Sequence, residues 1–126
     1  MVLFTSKYFN ANLLLRNIFA YFIPPVPEEA PAFLQGYPEN ATSIHISWKA
    51  LPPSRHKEQL LGYRVNYRRL GSQLFNQVNM TSNFTEAFLN VVPQTRYEIR
   101  VIGFNEIGNG PASEVLHVKS LSIGRL

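Results

Sequence analysis

Val91-Val92-Pro93-Gln94-Thr95-Arg96-Tyr97 runs straight into Tyr97-Glu98-Ile99-Arg100-Val101-Ile102-Gly103-Phe104, and this stretch restricts the fold more than any other. The second segment alternates with a period of two, so Tyr97, Ile99 and Val101 share one face of a strand, opposite Glu98, Arg100 and Ile102. Pro93 has no amide hydrogen and cannot sit inside a central ladder, so it separates two strands and forms a corner. A Tyr at the start of the second strand can pack its ring inward and return its hydroxyl to the backbone just upstream, as a tyrosine corner does.

Other segments follow the same period. In Thr42–Trp48, Ile44, Ile46 and Trp48 lie opposite Ser43, His45 and Ser47, the pattern of a half-buried antiparallel strand. In Gly62–Arg69, Tyr63, Val65 and Tyr67 face in while Arg64, Asn66 and Arg68 face out. Short strands are expected at Ala32–Tyr37, Phe75–Asn79 and Thr85–Val91, the last with Phe88 and Val91 in the core. A final strand holds Leu116 and Val118 inward with His117 and Lys119 outward. Pro38-Glu39-Asn40, Leu51-Pro52-Pro53, the polar loop Ser54–Gln59, Gly71-Ser72, Thr81–Asn83 and Gly108–Pro111 punctuate these strands. Seven short strands with no convincing helix after Pro27 predict an all-β sandwich rather than a βαβ fold.

The chain's 126 residues suit one domain with a sizeable core. A hydrophobic content of 45%, with 13% aromatics, is that of a globular protein. Without cysteine there is no disulfide, thiolate metal site or thiol nucleophile, and the redox compartment stays open. The net charge of +4 is mild and lacks the dense clustering of a nucleic-acid surface; it reads as an ordinary solvated basic surface, with weak attraction to sulfated glycans or acidic membranes as the alternative.

Residues 1–23 differ from the rest. Arg16 and Asn17 interrupt the apolar run, which falls short of the ~20 residues a membrane span needs. As a secretory signal the segment is poor, because only Lys7 charges its front and no small-x-small site precedes Pro24. It reads as a non-domain leader, at most a loose amphipathic helix from about Phe9 to Phe22. Pro24–Pro31 is a stiff, extended, proline-rich linker. Residues 1–27 are therefore expected to be leader and linker, 28–120 the domain and 121–126 a frayed tail.

Pro31, Ile44-x-Ile46-x-Trp48, Pro52-Pro53, Gly62-Tyr63-x-Val65-x-Tyr67, Asn90-Val91-x-Pro93-x-Thr95-x-Tyr97-x-Ile99-x-Val101 and Gly108-x-Gly110-Pro111-x-Ser113 resemble, in order and spacing, the fibronectin type III domain. The resemblance covers about Glu28 to Ser120 and implies an immunoglobulin-like seven-stranded β-sandwich. In it, strands A, B and E would form one sheet and C, C′, F and G the other. Within that family the sequence looks most like modules of neural cell-adhesion molecules and receptor-type tyrosine phosphatases. Val91 stands where leucine is usual, and Gly103 stands where alanine is frequent, which is expected to underpack its strand. True immunoglobulin domains would need an inter-sheet cysteine pair, which is absent.

Chemistry for catalysis is missing: there is no Gly-x-Ser-x-Gly, no inward pair of acids, and no helix behind Gly108-x-Gly110 to hold a phosphate. No cofactor is implied. His45, His56 and His117 are two outward strand residues and one loop residue, with strands B and G in different sheets, so a metal site is not expected. Asn40-Ala41-Thr42, Asn79-Met80-Thr81 and Asn83-Phe84-Thr85 fit the N-glycosylation acceptor pattern, each read as lying in a turn, with Asn79 and Asn83 on the loop after the fourth strand. The alternative is that they are only turn asparagines and β-favouring threonines. Trp48, Tyr63, Tyr67 and Tyr97 are the expected structural core.

The resemblance places the loop 54–59, the loop with Asn79 and Asn83, and the loop 106–110 at one pole. Contact with a protein partner is expected there or on the basic outer face, with Arg55, Lys57, Arg64, Arg68 and Arg100 as candidates. The expected function is that of a non-enzymatic extracellular or cell-surface interaction and adhesion module, a spacer that presents loops within a larger protein. The alternatives are an intracellular structural spacer, or a truncated fragment of a modular receptor.

Overall fold

The computed structural model describes residues 25–53 and 59–124. Eight strands follow one another: β1 (Ala32–Asn40), β2 (Ser43–Lys49), β3 (Gly62–Arg69), β4 (Asn76–Thr81), β5 (Glu86–Asn90), β6 (Arg96–Phe104), β7 (Asn109–Ala112) and β8 (Leu116–Lys119). They form two antiparallel sheets, one ordered β1-β2-β5 and the other β4-β3-β6 with β7 and β8 both paired to β6. This is the expected sandwich with the expected division of strands. The eighth strand arises because the last one is broken at 113–115. Ser113 bridges the break: its amide donates to the Val101 carbonyl (2.8 Å) and its Oγ accepts from the Val101 amide (2.9 Å).

Between the sheets lie Ile44, Ile46 and Trp48 of β2, Tyr63, Val65 and Tyr67 of β3, Ala87 and Leu89 of β5, and Tyr97, Ile99 and Val101 of β6. The period-two reading of β2, β3 and β6 therefore holds. In β5 it does not. Phe88, expected in the core, is 59% exposed, and Ala87 and Leu89 point inward with Val91. Three consecutive apolar residues, Ala87, Phe88 and Leu89, carry no alternation, so the face is set by register: Phe88 pairs with outward His45, and Leu89 with inward Ile44.

Further expectations change: Pro38-Glu39-Asn40, expected as a turn, belongs to β1, and the turn falls at Ala41-Thr42. Gly108–Pro111 is not all turn, because Asn109–Ala112 is β7 and the turn sits at 105–108. Gly103 does not leave β6 underpacked, since a Cβ there would come within 2.5 Å of Leu51 Cδ1, which occupies the space. Closer still is Gly62, where a Cβ would run into the Met80 carbonyl. In the corner after β5, Gln94 takes a left-handed φ of 52° and donates its amide to the Leu121 carbonyl at 2.9 Å. Leu121, expected in the tail, is thus tied to the corner.

Candidate functional site

Three tyrosines join the sheets to the chain crossings. The Tyr97 hydroxyl accepts the Val92 amide (2.8 Å), the backbone just upstream of its strand. Tyr67 donates its hydroxyl to the Asn90 carbonyl (3.1 Å), and Tyr63 accepts the Leu51 amide (2.8 Å). Burial, reinforced by the neighbouring Tyr97 hydroxyl, raises the Tyr67 pKa above its ordinary 10.0. Trp48 packs edge-on against Tyr63, with centroids 5.3 Å apart. All four side chains are buried structural members facing the interior, so none of them offers a ligand a surface.

The outer face of the larger sheet carries the candidate arginines. Arg68 donates Nε to Glu98 (2.7 Å) and Nη1 to the Ser72 carbonyl (3.1 Å), and its guanidinium lies 4.5 Å from the Phe75 centroid. Its charge is therefore largely engaged within the domain. The Arg64 guanidinium carbon sits over Phe104, 4.1 Å from the ring centroid, and its buried Nε has no hydrogen-bond partner among the described residues. Half-buried Arg100 stands opposite Asn66 on the same face. Arg55, Lys57 and His56 lie outside the described residues.

Opposite, the smaller sheet shows a feature that its sequence did not disclose. Tyr37, His45 and Phe88 are register partners across β1, β2 and β5. His45 stacks on Phe88 (4.5 Å, 26°) and meets Tyr37 edge-on (5.2 Å). Its Nδ1 is 3.1 Å from the Tyr37 hydroxyl and its Nε2 is 2.7 Å from Glu86 Oε1. The contact joins residues far apart in sequence, and only the strand pairing reveals it. No group of three metal-ligating side chains occurs among the described residues, and His117 lies on β8 in the other sheet.

Asn40, Asn79 and Asn83 are all exposed. Asn40 ends β1, where its Oδ1 accepts the amide (2.9 Å) and hydroxyl (3.2 Å) of Thr42, an Asx turn. Asn79 is not in a turn: it belongs to edge strand β4, opposite Arg64. Asn83 is in the turn that follows. That turn lies beside the end of β6, because Ser82 donates to the Leu61 carbonyl (3.1 Å) and Leu61 to the Phe104 carbonyl (3.0 Å).

Asn105 was overlooked in the sequence. Its Oδ1 accepts the amides of Ile107 (2.9 Å) and Gly108 (3.2 Å), which shapes the turn before β7, and its Nδ2 donates to the Pro25 carbonyl (2.8 Å). Residues 25–27 of the proline-rich segment accordingly lie on the sandwich, with Pro27 directly over Gly110. The Asn105-x-x-Gly108 spacing was the available signal, an asparagine turn of the kind read elsewhere in the chain.

Residues 29–119 match the family model described as the fibronectin type III domain. The chain is similar to receptor-type tyrosine-protein phosphatase F of Mus musculus, 30% identical over 95 residues, which is 71% of this chain and 5% of that protein. It is similar to neural cell adhesion molecule L1 of Takifugu rubripes, 29% identical over 106 residues, which is 77% of this chain and 8% of that one. The chain thus spans a small part of both relatives' length. The solution structure of the fn3 domain of human contactin 1 matches with a TM-score of 0.73 at 23% identity, covering 81% of this chain and 85% of that one, a likeness of fold. The six landmarks in register, the division into two sheets and the family match together establish that this chain belongs to the fibronectin type III domain family.

Proposed function

We propose that the chain is a non-enzymatic extracellular interaction and adhesion module, acting as a spacer and a loop-presenting scaffold of a cell-surface or matrix protein. The observation that carries this reading is the match of residues 29–119 to a module shared with proteins named as a receptor-type phosphatase and a neural adhesion molecule. Exposed asparagines at the three acceptor motifs agree with passage through the secretory pathway. The domain is taken as 28–120, with residues 25–27 docked on it and Leu121 bonded to its corner. Expression behind a secretory leader, followed by glycosidase digestion, tests the reading. A mobility shift lost in the N40Q/N79Q/N83Q variant is expected; secreted protein with no shift would favour an intracellular spacer.

Partner contact is assigned either to the basic outer face or to the pole that the family resemblance implies for the loop 54–59, the loop with Asn79 and Asn83, and the loop 106–110. On that face Arg64 and Arg100 are the side chains to test, because Arg68 already serves Glu98. Arg55 and Lys57, which lie outside the described residues, stay candidates from the sequence alone. A weak interaction with sulfated glycans would depend on the same charges. R64E/R100E should elute earlier than the parent protein from heparin at low salt. Unchanged elution would remove the basic face from consideration.

A further inference from the structure

We propose that a glycan on Asn40 does not project freely but folds back over the smaller sheet, its innermost N-acetylglucosamine seated on the aromatic band of Tyr37, His45 and Phe88. This rests on the secretory reading given above. It assigns to the band a ligand chemistry, a pyranose face, and a source, the chain's own modification.

The placement follows from a bulge. Counting residues from Tyr37 would put Asn40 on the opposite face of β1. The register shifts between Pro38 and Asn40, however, so that Tyr37 pairs with His45 and Asn40 with Ser43. Directly opposed residues share a face, and Ser43 and His45 are two apart on β2, so Asn40 and Tyr37 emerge on the same outer surface. They stand one row apart, about 7 Å along the strands. One sugar ring attached at Nδ2 bridges that gap.

The Asx turn fixes the attachment point. Asn40 Oδ1 is held by the Thr42 amide and hydroxyl, which leaves Nδ2 as the free end of the side chain. On transfer from a lipid diphosphate-linked oligosaccharide, Nδ2 bonds to the sugar C1 and gives up one proton, and the lipid diphosphate leaves. The receiving surface is preformed. Tyr37 and Phe88 are 51% and 59% exposed, yet His45 locks both rings by edge and stacking contacts and is itself anchored by Glu86. An apolar, rigid, flat band of this kind suits the C–H face of a pyranose, while the Tyr37 hydroxyl and the Glu86 carboxylate border it with polar atoms that the sugar's N-acetyl and hydroxyl groups can meet. Aromatic rings packed over a histidine on an exposed sheet are otherwise left with their outer faces in water.

The experiment uses the full chain secreted with N79Q and N83Q, so that Asn40 is the remaining acceptor, and trimmed to a single N-acetylglucosamine. It is compared with the same protein produced in a host that does not glycosylate, in which Asn40 is unmodified and the Thr42 hydroxyl bond is kept. The expected results are a melting midpoint at least ~2 °C higher for the sugar-bearing form, of the size that a fraction of a kcal/mol gives in a domain this small, and upfield ring-current shifts of the sugar protons. Both are expected to vanish in Y37A, an exposed position whose loss leaves the core intact. An occupied Asn40 with no upfield shift and a midpoint increment unchanged by Y37A would overturn the inference while leaving the secretory reading in place. Failure of Asn40 to be modified would overturn the inference alone; the secretory reading falls only if Asn79 and Asn83 of the parent protein are unmodified as well. An unmodified chain that dimerises, and returns to monomer on Y37A, would assign the band to a second copy instead.

Discussion

Tyr63, Tyr67 and Tyr97 each combine a buried ring with a hydroxyl bonded to a crossing segment of backbone. Tyr97→Phe leaves the Val92 amide without its partner, so it should cost about 1–3 kcal/mol, measured by chemical denaturation, without changing the intrinsic affinity of any protein partner. Trp48→Ala empties the space against Tyr63 and should cost about 3–5 kcal/mol; a denaturation midpoint that scarcely moved would contradict its place in the core. Tyr67 supplies a pH test. Its folded-state pKa is raised, so the native state holds the proton longer than the unfolded chain does. The stability this brings is complete below the ordinary tyrosine value of 10.0 and is lost as pH rises through the folded-state value. Tyr67→Phe should flatten that alkaline loss in denaturation curves recorded across the range.

Glycines separate the strands' tolerances. Gly62→Ala meets backbone at Met80 and should cost about 1–3 kcal/mol, whereas Gly103→Ala meets only the side-chain ends of Leu51 and Leu60 and should cost less. The order of their melting midpoints checks this. Asn105→Ala removes the acceptor that shapes the turn before β7 and releases Pro25, so the amides of Ile107 and Gly108 should exchange about tenfold faster or more. The strands β2, β3 and β6 were legible because their alternation is strict and their inward residues are large. β5 was not, because Ala87-Phe88-Leu89 has no alternation and its face depends on pairing with β2. The Tyr37–His45–Phe88 band and the facing of Asn40 were illegible for a related reason: both are set by register and by a bulge, which connect distant residues or change the count by one.

Taken whole, the described sandwich presents two different outer faces. The smaller sheet carries the aromatic band and Asn40, and the larger one carries Arg64, Arg100, Asn79 and the Arg68–Glu98 pair. With Tyr63, Tyr67 and Tyr97 turned inward, the described domain offers a rigid support whose proposed function lies on its surface. That support is proposed to stand outside the cell. Intact cells expressing the complete reading frame that contains this domain can be treated with a membrane-impermeant amine reagent, which reaches the exposed Lys49 and Lys119 if the domain is extracellular. Labelling of peptides containing these two lysines without permeabilisation is the predicted result, and labelling that appears only after detergent would contradict the extracellular assignment.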